Sequence, residues 1–129
     1  EGGDPAGGVA LALRASDAAK IGQLVLQEGR SGAGQLLSSE WIRRQTTSHV
    51  LLGPTTVLAD ATYGYHTWVD RGRDATVFWG YGGQFVWIVP SKQLVVVTAA
   101  NWRGVADYGF QQASPIAQFV ATRILPAAR

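Results

Sequence analysis

The sequence predicts an α+β assembly in which an antiparallel sheet carries helices on both faces. Apolar residues recur at helical spacing over residues 16–28 and 115–125, and a serine cap marks a shorter helix over 39–46. Between these helices, Tyr63, Tyr65, Thr67 and Val69 alternate with Gly64, His66, Trp68 and Asp70, the period of a half-buried strand. Two nearly continuous apolar runs, Phe85–Val89 and Leu94–Ala99, lie four residues apart, and strands so uniformly apolar need cover on both sides.

The elements follow in order. Glu1-Gly2-Gly3-Asp4-Pro5-Ala6-Gly7-Gly8 has the composition of a surface loop and no Met, which reads as a cut, natural or imposed. Val9–Arg14 reads as a short extended piece. Ser16 is placed to cap a helix over 16–28, with Asp17 in the first turn, Ala18, Ile21 and Val25 on one face and Gly29 as terminator. Ser38 repeats the signal before a shorter helix over 39–46, which Thr46-Thr47-Ser48 and Gly53-Pro54 end. Tyr63–Asp70 reads as one strand, Arg71-Gly72-Arg73-Asp74 as a polar turn and Thr76–Trp79 as a second strand. Phe85–Val89 and Leu94–Ala99 form a hairpin across Pro90-Ser91-Lys92-Gln93, whose leading proline suits a type I turn. Ser114-Pro115 reads as a cap with proline at the first helical position, opening a closing helix whose face is Ile116, Phe119, Val120 and Ile124.

Composition narrows the function classes. A chain of 129 residues with 47% hydrophobic content is one domain by size and can bury a core. The net charge of +2, with only Arg43-Arg44 and Arg71/Arg73 as close cation pairs, argues against nucleic acid as a partner. No apolar run approaches the roughly 18 residues that would span a bilayer, and no signal peptide is evident. The absence of Cys removes disulfides, thiolate metal sites and cysteine catalysis, and leaves both exported and cytoplasmic locations open.

Gly80-Tyr81-Gly82-Gly83-Gln84, running straight into Phe85-Val86-Trp87-Ile88-Val89, stands out. Three glycines at the mouth of a buried strand allow close approach to the backbone, where an N–H can stabilise developing negative charge. An ordinary glycine bulge before a core strand explains the same residues. Ala15-Ser16-Asp17-Ala18-Ala19-Lys20-Ile21-Gly22-Gln23-Leu24, Gly34-Gln35-Leu36-Leu37-Ser38-Ser39-Glu40-Trp41-Ile42, Tyr63-Gly64-Tyr65, Gly80–Gln84 through Pro90, and Leu94-Val95-Val96-Val97 together resemble the C-terminal part of the serine β-lactamase-related hydrolases. That group of class C β-lactamase-like proteins includes esterases, D-aminopeptidases and 6-aminohexanoate-dimer hydrolases. The similarity spans nearly the whole chain, and its specificity lies in the order and spacing of the motifs.

The resemblance implies the C-terminal part of a β-lactamase/transpeptidase-like fold and an acyl-enzyme mechanism on ester or amide bonds, with no cofactor and no metal. It places Tyr81-Gly82-Gly83 at the family's third motif, where Lys-Thr-Gly is usual. Gln84 then offers a backbone N–H to the oxyanion, Tyr81 takes the third-motif position near the leaving group, and Gly82 and Gly83 lie against the substrate. The departures are equally informative. Ser16-Asp17-Ala18-Ala19-Lys20 is one residue too long for Ser-x-x-Lys, no other Ser precedes a Lys by three, and no Tyr-x-Asn occurs. The nucleophile is therefore expected on an upstream segment, present as a partner chain, and the isolated piece is expected to be inactive and poorly stable. Tyr81 in place of Lys removes a permanent cation for a substrate carboxylate, which favours an esterase or amidase over a β-lactamase.

Other residues have plainer explanations. Tyr81 covers the sheet edge or lines the acyl pocket. His49 and His66, with Asp60 and Asp70, lack metal-ligand spacing and read as surface or structural histidines. Ser16, Ser38, Ser39 and Ser114 are better as helix caps than as nucleophiles, none lying in a Gly-x-Ser-x-Gly elbow. Trp68, Trp79, Trp87 and Trp102 read mainly as core, with one or two able to wall a cleft, and Asp107-Tyr108-Gly109 as a loop. Two rival functions remain: a non-catalytic module whose aromatic, glycine-edged surface holds sugar or peptide, and a catalytically dead scaffold of the same fold.

Overall fold

The computed structural model describes residues 11–32, 34–55, 57–58, 60–101 and 110–128. The expected loop at 1–8, Trp102 and the Asp107–Gly109 loop lie outside them, as do Val9 and Ala10; Leu11–Arg14, expected to be extended, carry no regular structure.

Helix α1 spans Ala15–Leu26, with Arg14 rather than Ser16 at its N-cap and no side-chain cap. Ser16 sits one residue inside, while Asp17 occupies the first turn and pairs with Lys20 at 2.9 Å. The buried centre of α1 is Gly22, and Ile21, expected on the packing face, is exposed. A Cβ at Gly22 would fall 2.7 Å from Val95 Cγ1 and 2.8 Å from Val86 Cγ1, so the helix lies directly on the sheet at that point. Glu28 and Gly29 take left-handed conformations and end the helix. Two short strands, β1 (Arg30–Ser31) and β2 (Gly34–Gln35), pair antiparallel before helix α2 (Ser39–Thr46), whose bounds are those the sequence predicts. Ser38 caps α2, its hydroxyl accepting from the Trp41 N–H at 3.1 Å.

The main sheet is a six-stranded antiparallel meander of β3 (Val50–Gly53), β4 (Ala61–Tyr63), β5 (Trp68–Asp70), β6 (Ala75–Gly80), β7 (Gln84–Val89) and β8 (Leu94–Thr98), with spatial order equal to chain order. The single strand expected over Tyr63–Asp70 is instead a hairpin. Gly64 and the left-handed His66 fold the chain back so that Tyr63 pairs with Trp68, and the Gly64 N–H donates to the Thr67 carbonyl at 2.8 Å. Strict alternation through a glycine cannot distinguish one strand from two joined by a tight turn, and that is where the simple periodicity fails. The β7–β8 hairpin turns through Pro90–Lys92 and a left-handed Gln93, whose N–H reaches the Pro90 carbonyl at 3.0 Å.

Helices cover both faces, as expected. Val86, Ile88 and Val95 point toward α1. Their neighbours Phe85, Trp87 and Val89 point the other way, into a core completed by Val77, Leu58, Ala113, Ala117, Val120 and Leu125. The last four belong to the C-terminal helix, which runs as α3 (Phe110–Phe119), a wide π turn (Val120–Ile124) and α4 (Leu125–Ala127). It begins before Ser114, so Ser114-Pro115 is not its start and Pro115 lies inside α3. The wide turn comes just ahead of Pro126, which has no N–H to give and whose ring crowds the preceding turn.

Candidate functional site

The register brings two chain reversals to one end of the meander. Trp68 pairs with Val77, so β6 runs three residues past the start of β5 before turning at Tyr81-Gly82-Gly83. The Gly64–Thr67 turn, the start of β3 next to His49, the Tyr81–Gly83 turn and the end of β8 therefore share that end. The opposite end carries Arg71–Asp74 and Pro90–Gln93, tied together where the Ser91 N–H donates to Asp74 Oδ2 at 3.2 Å.

The Gly80–Gln84 segment is a hairpin turn with Gly80 and Gln84 as its closing pair. Gly82 and Gly83 have φ of 75° and 88°, a conformation that costs a residue with a Cβ about 1–2 kcal/mol. Both are buried, and a Cβ at Gly83 would lie 2.5 Å from Ile116 Cδ1. At Gly83, then, the close approach that glycine permits is made by helix α3. The Thr98 hydroxyl knits the turn to β8, accepting from the Phe85 N–H at 3.2 Å and donating to the Gly83 carbonyl at 2.8 Å. The Gln84 side chain does the same on the next residues: its Nε2 donates to the Ala100 carbonyl at 2.6 Å and its Oε1 accepts from the Ala100 N–H at 3.2 Å. Tyr81 projects from the turn, 45% exposed. The four residues singled out from the sequence thus lie together, on a turn fastened to β8 and to α3.

Sequence reasoning passed over the other reversal. Trp41, Tyr63, Gly64, Tyr65 and His66 line an open cleft of about 510 Å³. Helix α2 supports it from behind: the Gln45 carbonyl accepts from the Tyr65 N–H at 3.1 Å and from the Thr67 hydroxyl at 2.6 Å. His49 stacks on Tyr65 with 4.3 Å between centroids, and its Nε2 lies 2.8 Å from the Arg44 carbonyl oxygen. From Tyr63 a row of rings crosses the sheet through Trp68, Trp79 and Phe85 at centroid spacings of 5.2, 5.1 and 5.8 Å, ending beside the Gly80–Gln84 turn. Trp87 is wholly buried, and Trp68 and Trp79 pack against the core. The available signal was Trp41 three residues after a helix cap, together with Tyr63-Gly64-Tyr65-His66. Neither cluster is recognisable without knowing that Gly64 turns the chain.

The titratable groups are committed elsewhere. Arg71 makes a two-pronged pair with Asp60, both contacts at 3.0 Å, and this carboxylate raises the Arg71 pKa above its ordinary value. Asp70 is fully buried and paired with Arg73, its Oδ1 having no hydrogen-bond partner among the described residues. Both aspartates sit toward the far end of the sheet from His49, and among the described residues no three His, Asp or Glu side chains gather as a metal-ligand set. A second cleft, about 340 Å³, opens between α1, α2 and the sheet, lined by Leu26, Glu28, Glu40, Ile42, Thr76 and Ile88 among others.

No protein-family model matches this sequence. What the fold gives is an α+β arrangement with an antiparallel sheet and helices on both of its faces. Among the described residues no helix is long and apolar enough to cross a membrane.

Proposed function

We propose that this chain forms one wall of the cleft of a serine hydrolase acting on ester or amide bonds through an acyl-enzyme. The observation that carries the reading is the turn Gly80–Gln84. Two successive residues with positive φ set the first residue of β7, and Tyr81 stands out at the sheet end where the reversals converge. In this reading the Gln84 backbone N–H, which faces Gly80 across the hairpin, turns from that partner to the oxyanion, and one such donor is worth about 3–4 kcal/mol of barrier. Tyr81 lines the pocket near the leaving group, while Gly82 and Gly83, both buried and the latter covered by Ile116, shape the turn that presents it and do not meet the substrate as the resemblance implies. The attacking serine, with a Lys and a Tyr sharing the proton transfers, comes from a segment outside these 129 residues, because the chain has no Ser-x-x-Lys.

The outer edge of β8 supports the need for a partner segment. Leu94-Val95-Val96-Val97-Thr98 carries no charge, no proline and no bulge, the devices that normally guard a sheet edge, and among the described residues it pairs only with β7. A strand added there extends the sheet and covers the apolar rim. The partner that fits is the upstream part of the same protein.

The test is labelling of the protein carrying this segment together with its upstream sequence by a fluorophosphonate or penicillin probe, followed by turnover of p-nitrophenyl esters and nitrocefin. Covalent labelling with preference for the esters is expected. Preference for nitrocefin would overturn the role given to Tyr81, and no labelling at all would favour a dead scaffold. A binding-module reading is favoured by one observation, the aromatic cleft at Trp41 and Tyr65.

A further inference from the structure

We infer that the cleft lined by Trp41, Tyr63, Gly64, Tyr65 and His66 is a binding site for a neutral, flat aromatic group, of one or two fused rings. The inference does not rest on the hydrolase reading.

Three observations carry it. The first is shape. The Trp41 and Tyr65 rings are nearly parallel, 20° apart with 6.0 Å between centroids, and both border the same open space. The two rings stack on each other and leave about half of each side chain exposed, so a flat partner packs against their outer surfaces, offset or edge-on. The space, about 510 Å³ and open to solvent on one side, has room for one or two fused rings.

The second is rigidity. Both aromatic side chains are large and about half exposed, Trp41 at 46% and Tyr65 at 45%, an arrangement that sheds apolar surface on binding. Exposed rings on a floppy loop would lose that gain to ordering, yet here the turn is pinned. The Gln45 carbonyl takes two hydrogen bonds from it, the His49 N–H donates to the Tyr63 carbonyl at 2.8 Å, and the His49 ring lies against Tyr65. Tyr63 is held edge-on to Trp68, with 82° between planes. The platform exists before the ligand arrives, so little binding energy goes into building it.

The third is charge. Among the described residues no acidic or permanently basic side chain lines the cleft. The nearest cations along α2, Arg43 and Arg44, are both engaged by Glu40, at 2.6 and 2.7 Å. A carboxylate entering would leave its water without a counter-ion, and an ammonium would exchange its water for ring quadrupoles alone, whereas an uncharged ring has no charge to desolvate. The scarcity of polar groups also disfavours a saccharide, whose hydroxyls need a set of fixed donors and acceptors around the stacked face.

The experiment is equilibrium binding to the full chain, read from chemical-shift changes of the indole N–H signals with naphthalene-2-methanol and benzyl alcohol as probes. Benzoate, benzyltrimethylammonium and methyl glucoside serve as the anionic, cationic and saccharide arms. The neutral aromatics should bind saturably and shift the Trp41 indole signal, with the bicyclic alcohol tighter. Trp41→Ala and Tyr65→Ala should each weaken binding by about ten-fold, the scale of one lost stacking contact. Leu51→Ala, which removes a side chain 73% exposed outside the cleft, should leave affinity unchanged. Tighter binding of methyl glucoside or of either ion, no saturable binding of the neutral rings, or an equal loss in Leu51→Ala would each overturn the assignment. Because the readout is binding and not turnover, it stands or falls separately from the acyl-enzyme proposal.

Discussion

The turn Gly64–Thr67 and the turn Gly80–Gln84 close successive hairpins at the same end of the sheet, and each sets a tyrosine at the surface, Tyr65 and Tyr81, both 45% exposed. They are held by different kinds of atoms. The first is clamped to backbone: a Cβ at Gly64 would run into the Gln45 carbonyl oxygen and lie 2.8 Å from the Thr47 carbonyl and 2.9 Å from Thr67 Oγ1. The second is fastened by side chains, namely Thr98, Gln84 and Ile116. Backbone carbonyls at a helix end cannot step aside without breaking the helix, whereas a methyl group at the tip of isoleucine can rotate. The turn around Tyr65 is thus the harder of the two to displace by substitution.

Gly64→Ala strikes the backbone clamp directly. Because the obstructing atoms are main chain, either α2 or the hairpin must shift, and the cost is expected to be about 3 kcal/mol, at the upper end of overpacking substitutions. Urea unfolding would read this as a lowered midpoint at constant slope, and an unchanged midpoint would show that the clamp is not rigid. Gly83→Ala is the matched change in the other turn. Here the cost is the left-handed conformation at φ 88°, about 1–2 kcal/mol, with the Ile116 clash largely relieved by rotation. Trimming Ile116 to Val in the same protein should recover little, since the rotamer has already made room. A loss in Gly83→Ala as large as that in Gly64→Ala would erase the distinction.

How far these two turns were legible in the sequence differs in the same way. Gly80–Gln84 announces itself because three glycines and a long apolar strand are adjacent in the chain, and local signals of this kind survive without tertiary knowledge. Helix α2 was legible for the same reason, through Ser38 and Thr46-Thr47-Ser48. The Gly64 turn was not, because its role depends on Gln45, nineteen positions earlier, and its glycine is required by a non-local collision. Likewise the start of the C-terminal helix was hidden by Ser114-Pro115, a sound local cap signal that tertiary packing of Ala113 and Ala117 overrides. Strand β3 has no alternation strong enough to read, and is a strand because β4 pairs with it.

Gln84→Ala separates the side chain of the second turn from its main-chain donor. The substitution removes both hydrogen bonds to Ala100 but keeps the backbone N–H. Stability should fall by about 1 kcal/mol, the net value of a partly buried amide's contacts. Esterase turnover in the protein bearing the nucleophile should persist, because the donor proposed for the oxyanion belongs to the main chain. A large loss of turnover with little loss of stability would assign the chemistry to the side chain instead.

The smallest effect concerns the helix behind the aromatic platform. Glu40, in the first turn of α2, accepts hydrogen bonds from Arg43 and Arg44, which hold its carboxyl below the ordinary glutamate value. A carboxyl whose folded pKa is depressed adds stability above its unfolded pKa and loses it as pH falls through the folded one. The contribution of this surface group is therefore intact at neutral pH and vanishes below the usual carboxylate range, and salt near 1 M should screen it. Glu40→Gln should unfold slightly earlier than the parent at pH 7 and low salt, and together with it at acid pH or high salt. If the loss acts by fraying α2, the Tyr65 ring signals, which depend on the Gln45 anchor, should respond to the substitution while those of Tyr81 stay fixed. Equal responses at the two tyrosines would mean that the turns are not independently supported, and the contrast between a backbone clamp and a side-chain fastening would have to be abandoned.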